Sequence, residues 1–376
     1  MNRGKMISIR SHVLRRGLVI AAASSLALVA ACGSNSSSGG QGASKGKYVI
    51  ALSNSFTGNN WRKTMVSVWT SAAQSAKSQG LISSYKIVNT PDNSATEQIS
   101  QIRALILEHV SAITIDAASG TALNSVIQQA CTAGIKIVVF DSLASAPCEY
   151  NLYTNVQQLG TTEGQNVANG LHGKGNVIIV RGVVGSAPEL IDYHAQLAVL
   201  KKYPGIKIVT TVVGNASTSQ TQQALESVLP SMPTINGVVD DGVGIGVYDA
   251  FQHAGLPIPV FDITADGESL RLFQQLHQKN GLDTTAIQVD AGIGSAAFWE
   301  ALGLLSGQKF DGHAIPKEVE VPLVQVTPAD LAGWIAATPP TSVSRWVYTQ
   351  ADADKVFEAN ITHSALPIFP VPAPVS

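Results

Sequence analysis

The stretch Gly134-Ile135-Lys136-Ile137-Val138-Val139-Phe140-Asp141 carries the fold in miniature. Leu123, Val126, Ile127 and Ala130 precede it at the three- and four-residue spacing of a helix, and Gly134 stops that helix. Ile135–Phe140 is then an apolar, β-branched run that predicts a strand. A strand apolar on both faces needs cover on both, which a parallel sheet flanked by helices supplies. Asp141 follows at the strand's carboxyl end, the edge where open parallel sheets take ligands.

The same unit recurs in both directions. Upstream, Tyr48–Ser53, Tyr85–Val88 and Ala112–Ile115 read as strands, separated by helices over Thr64–Gln79 and Thr96–Val110. Downstream the pattern restarts with strands at Asn176–Val180, Ile206–Val213, Gly237–Val239, Pro259–Phe261 and Thr284–Gln288. Helices over Pro188–Lys202, Ser219–Leu229, Gly246–Ala254, Gly267–Gln278 and Ser295–Leu305 alternate with them. Beyond Gly307 one strand is expected around Glu318–Val326, with helices around Pro328–Ala337 and Ala351–Ala359. Two blocks of this kind predict an α/β protein made of two doubly wound, Rossmann-like lobes.

Polar residues stand at nearly every strand end. Asn54 leads into Asn60-Trp61-Arg62 in the first block, where Asp116 and Asp141 close later strands. In the second block Arg181, the pair Asp240 and Asp241, Asp262 and Gln288 occupy the equivalent places. One such Asp is explained by capping the next helix; a shared ligand-binding edge explains the set. Carboxylates accept hydrogen bonds from hydroxyls, amides accept and donate, and Arg62 donates as a planar fork. Trp61 offers a flat apolar face on which the C–H side of a sugar stacks. The excess of acid disfavours an anionic ligand and leaves uncharged and cationic ones.

The amino-terminal segment points to export. Arg10, Arg15 and Arg16 precede the apolar run Gly17–Ala31, and Leu28-Val29-Ala30-Ala31-Cys32 ends it. A basic segment, an apolar core and small residues before a cut make a signal peptide over residues 1–31. The string resembles the bacterial lipobox, which implies cleavage before Cys32 and a lipid on its thiol. Residues 32–47 are Ser, Gly, Asn and Gln with little else, the composition of a flexible linker. The proline-rich end, residues 365–376, reads as an extended strap or a loose tail. Outside the cytoplasm the remaining cysteines, Cys131 and Cys148, are expected to be bridged.

Composition narrows the function. Charged residues make up 13% and the net charge is −2, so no basic field exists for nucleic acid. No Cys/His cluster has zinc spacing, and no cofactor is expected. Hydrolase signatures are missing. Gly242-Val243-Gly244-Ile245-Gly246 follows a strand and opens a helix, a partial dinucleotide fingerprint whose third glycine is replaced by Val247. Close helix–sheet packing accounts for those glycines more simply, and no enzyme activity is expected.

The chain resembles the type I periplasmic binding proteins of the ribose/galactose-binding class, from Lys47 to about Val326. The stretches that carry the likeness are Val49–Ser55 followed by Asn60-Trp61-Arg62, Gly134–Asp141, Gly182-Val183-Val184-Gly185, and Phe261–Glu268. The resemblance implies a monomeric substrate-binding protein of an ABC importer, with a sugar held between two lobes and the permease as partner. It implies lobes discontinuous in sequence: residues 48–154 with 289–324, and 155–288 with 325–364. The crossovers fall near Tyr153–Val156, Gln288–Ala291 and Leu323–Thr327. Asn60 and Trp61 match residues that flank and stack on the sugar. Asp141, Asp116, Asp262, Asp240 or Asp241, and Gln288 match polar contacts. The chain departs from the pattern at Ser142, at Ile191-Asp192-Tyr193-His194 and near Ala216, where relatives carry Arg, Arg and an aromatic. Arg62 and Arg181 are expected to compensate. A sensor presenting its ligand to a membrane kinase or chemoreceptor uses the same fold, and the sequence leaves that alternative open.

Overall fold

The computed structural model describes residues 47–374. The signal segment, Cys32 and all but the last residue of the expected linker lie outside the described residues. The strands are β1 Tyr48–Asn54, β2 Ile82–Asn89, β3 Ala112–Asp116, β4 Lys136–Phe140, β5 Tyr150–Thr154, β6 Lys174–Arg181 and β7 Gly205–Val213. They continue with β8 Gly237–Asp240, β9 Val260–Phe261, β10 Ala286–Gln288, β11 Lys309–Phe310, β12 His313–Ala314, β13 Glu318–Val321 and β14 Val324–Val326. The helices are α1 Asn60–Ser78, α2 Ala95–Leu107, α3 Asn124–Thr132, α4 Val156–Gly170, α5 Ala187–Leu200 and α6 Thr218–Val228. After them come α7 Gly244–His253, α8 Gly267–Asn280, α9 Ile293–Ser306, α10 Leu331–Ala337 and α11 Gln350–Thr362.

Two parallel sheets form the two lobes. One has the order β13-β5-β4-β3-β1-β2 and the other β7-β6-β8-β9. The predicted strand across Glu318–Val326 is broken at Pro322. Its first half joins β5 in the larger sheet, while its second half pairs antiparallel with β10. Proline has no N–H for a ladder, so the chain changes partner there. Segment 325–364 also differs from the expectation that it lies wholly with the second lobe. Helix α10 packs on α8, whereas α11 packs on β13 and α9 beside the larger sheet. Val356 and Phe357 of α11 are buried and draw it to that side.

The alternation missed one helix, α4. Its inward positions include Gly160, Glu163 and Gly164 beside Val156, Leu159 and Val167, so the apolar stripe is interrupted. Glycine also has poor helix propensity. Tertiary contact compensates, because the glycines let α5 approach closely: a Cβ on Gly164 would come within 3.2–3.3 Å of Val199 and Gln196.

Large aromatics fill the core under the six-stranded sheet. Trp69 is wholly buried, edge-on to Phe298 with centroids 5.4 Å apart, and its Nε1 donates to Thr114 Oγ1 at 2.9 Å. Such pairs add about 1 kcal/mol beyond the area they bury. Cys131 and Cys148 form a disulfide that ties the end of α3 to the loop after β4. The proline-rich end packs as a strap: Phe369 lies 5.7 Å from Trp346 and 5.3 Å from Tyr348, and Trp346 Nε1 donates to the Pro370 carbonyl.

Candidate ligand-binding cleft

A cleft of about 460 Å³ opens between the carboxyl ends of the two sheets. The loop after β1 and the start of α1 supply one rim. Asn59 caps α1, its side chain accepting from the Arg62 N–H at 2.8 Å. That cap sets Asn60, Trp61 and Arg62 on the first turn, all three lining the cleft. Trp61 is half-buried, and its Nε1 donates to the Val289 carbonyl at 2.8 Å, tying the rim to the chain just past β10. The Arg62 guanidinium lies 5.2 Å from the Trp61 ring centre and within 3.5 Å of Asp141 Oδ2. Asp141 has a left-handed backbone, φ 57°, which Asp tolerates better than most residues.

The opposite wall is acidic. Glu163 and Glu189 come from α4 and α5, Asp192 from α5 and Asp241 from the end of β8, and all four line the cleft. Gln196 Nε2 donates to Glu163 Oε2 at 2.9 Å and to Asp192 Oδ2 at 2.7 Å, holding the two carboxyls together. Burial first, then the neighbouring acids, raise both well above the ordinary carboxyl range. Burial, then Glu189 and Asp141, push Asp241 up to about 7, while Arg181 pulls it down. Two glycines make room for this wall. A Cβ on Gly160 would collide with the Asp192 carboxyl, and one on Gly182 with that of Asp241.

Of the residues expected from sequence, Asn60, Trp61, Arg62, Asp141, Asp241 and Gln288 line the cleft. Five others stand behind it. Asp116 is wholly buried and forms an ion pair with Arg62 from beneath. Asn54 is equally buried and donates to the Phe56 carbonyl and to Asn89 Oδ1, joining strand ends. Arg181 makes a two-pronged pair with Glu189, at 2.6 and 2.8 Å, and stacks over Tyr193. Asp240 accepts from the Val243 N–H at the start of α7, and Asp262 accepts from the Asp240 N–H at 3.0 Å. Both are buried, and neither lines the cleft. Strand-end Asp residues cap and turn the chain as well as face ligands. Only side-chain direction in the folded state separates the two roles.

Sequence reasoning did not single out Glu163, Glu189 and Asp192 as site residues. Asp192 sits where an arginine was sought, and Glu163 lies on the unrecognised α4. Gly244 and Gly246 serve packing, lying against the Asp262 and Thr218 carbonyls, whereas Gly242 supplies a left-handed backbone at φ 94° in the turn before α7.

Comparison with known proteins identifies the family and the fold. The periplasmic binding protein domain matches residues 50–309. The chain belongs to the periplasmic binding protein family. The crystal structure of an ABC transporter solute binding protein from Thermobispora bispora is 41% identical to this periplasmic binding protein. It covers 87% of the chain, which in turn covers 99% of it, with a TM-score of 0.82. A solute binding protein from Bacillus halodurans with bound myo-inositol shares the fold, at 20% identity and a TM-score of 0.65 over 78% of this chain and 98% of its own. The xylitol-binding protein of Mycolicibacterium smegmatis is 30% identical over 189 residues, 48% of this chain and 53% of its own. A multiple sugar-binding periplasmic protein of Azospirillum brasilense is 24% identical over 43% of this chain and 52% of its own. This periplasmic binding protein thus spans about half the length of the curated relatives it matches. These relatives are binding proteins of the type I fold, and the two sheets and their intervening cleft are that fold's architecture.

Proposed function

We propose that the protein is a lipid-anchored, extracytoplasmic receptor. It captures a sugar or related polyol in this cleft and hands it to the permease of an ABC importer. The observation that carries the reading is the cleft lining itself. One indole face stands beside an arginine, opposite carboxyl groups able to accept hydroxyl hydrogen bonds, and the cleft's volume suits a small molecule. The relatives support the same class: one is named for xylitol and another for multiple sugars.

The chain passes between the lobes near Tyr153–Val156, Gln288–Ala291 and Leu323–Thr327 and returns between α10 and α11, and closure about those points brings Asp141 and Asp241 onto one ligand. Asn60 and Trp61 flank the ligand ring, Arg62 and Gln288 donate to it, and Asp141 and Asp241 accept. Arg181 acts by holding Glu189. The mature protein, about 345 residues from Cys32, works as a monomer at the outer face of the membrane.

Isothermal titration with pentoses, hexoses and sugar alcohols tests the ligand class. Saturable micromolar or tighter binding of one of them is the expected result, and failure of all while another class binds rejects it. Replacing Cys32 by Ser should move the protein from the membrane to the soluble fraction and abolish labelling by a fatty-acid probe. Retained labelling would refute the anchor.

A further inference from the structure

The cleft carries more acid than its cations answer. Arg62 is engaged by Asp116 and Asp141, and Arg181 by both oxygens of Glu189. Lys63 stands exposed at the rim. Glu163, Asp192 and Asp241 line the cleft with no ion pair of their own among the described residues. Asp141 and Asp241 both line the cleft, one after a strand of each sheet, and the charge of Asp141 is among the causes that raise Asp241.

Two further observations come from outside the charge balance. Gln288 is 7% exposed, lines the cleft, and its Oε1 finds no donor among the described residues. Asp192 is 2% exposed and its Oδ1 is likewise unpartnered. Buried acceptors left without donors cost free energy, so a ligand that donates hydrogen bonds to Gln288 and Asp192 is favoured. A neutral polyol supplies donors but leaves the carboxylates repelling one another. An ammonium group supplies both, with three N–H donors and a charge that reverses the repulsion.

We propose that the ligand of this cleft is a polyol bearing a protonated amine, seated between Asp141 and Asp241 within reach of Gln288. This rests on the polyol reading of the cleft and narrows it. The amine is held by charge-assisted hydrogen bonds, while the ring or chain lies against Trp61 as a neutral sugar would.

The test is titration of the purified protein with matched pairs: myo-inositol and an amino-deoxy-inositol, xylitol and 1-amino-1-deoxyxylitol, glucose and glucosamine, with glucuronate as the anion. At least one amine should bind about tenfold or more tightly than its neutral parent, and glucuronate should not bind. The preference should shrink in Asp241→Asn. Neutral parents binding as well as or better than every amine would overturn the amine assignment and leave the polyol receptor standing. An unchanged preference in the variant would refute the placement at Asp241. No binding by these compounds or by the wider panel of pentoses, hexoses and sugar alcohols would remove the polyol reading itself, and the inference with it.

Discussion

Asp241→Asn separates what the cleft does for binding from what it costs the fold. In the unfolded chain this carboxyl titrates near its ordinary value of 3.8, and in the folded protein near 7. Its folded pKa is raised, so between those values the native state holds a proton that the unfolded state has released. The contribution to stability is whole below pH 4 and is lost as pH rises through 7. From the two values, the loss grows by about 2.5 kcal/mol between pH 5 and pH 8. The amide keeps the shape and does not titrate. The variant's stability relative to the parent should therefore rise by about that amount over the same range, whatever offset the amide introduces. For a domain of this size about 2.5 kcal/mol corresponds to roughly 3–4 °C in Tm. The assay is ligand-free thermal or urea unfolding of both proteins at pH 5, 6, 7 and 8, with titration of a polyol ligand alongside. Stability should improve with pH in the variant relative to the parent while affinity falls. Parallel pH profiles would show that Asp241 is ordinarily ionised in the free protein and that the crowding of acids across the cleft has no energetic consequence.

Three other outcomes follow from the geometry. Trp61→Ala removes the stacking face and the bond to Val289, and should weaken polyol binding by about 2 kcal/mol, roughly 30-fold, read by titration calorimetry; unchanged affinity would place the ligand elsewhere. Glu300 is wholly buried on α9, neither carboxyl oxygen has a hydrogen-bond partner among the described residues, and burial pushes it up to about 8. Glu300→Gln should gain about 3 kcal/mol relative to the parent between pH 5 and pH 8 in urea unfolding, by the same sign of linkage; a flat difference would refute it. Replacing both Cys131 and Cys148 by Ser opens a loop of sequence separation 17 and should lower stability by about 3 kcal/mol, while leaving ligand affinity nearly intact. A large affinity loss would mean that the bridge shapes the cleft.

Several parts of this molecule are readable residue by residue. Lys136–Phe140 forms a strand buried from Ile137 onward because its apolar, β-branched residues require cover on both faces. Asn60, Trp61 and Arg62 reach the cleft because Asn59 starts a helix right after β1, and local capping chemistry fixes that turn. Helix α4 escaped because its glycines and Glu163 look unhelical until α5 packs on them. Asp116, Asp240 and Asp262 share with Asp141 and Asp241 the same strand-end position, and nothing in their neighbours along the chain says which will turn inward.

The sequence by itself determined the alternation of strand and helix, the duplication into two α/β blocks and the edge at which polar groups collect. These follow from periodicity, turn chemistry and the need to bury apolar faces, all of which act over a few residues. Tertiary structure alone decided which acids meet. Gln196 joins Glu163 to Asp192, and Asp141 and Asp241 line one cleft, because separate segments are folded to within range of one another. Charge interaction depends on distance and burial in space, quantities that separation along the chain does not encode.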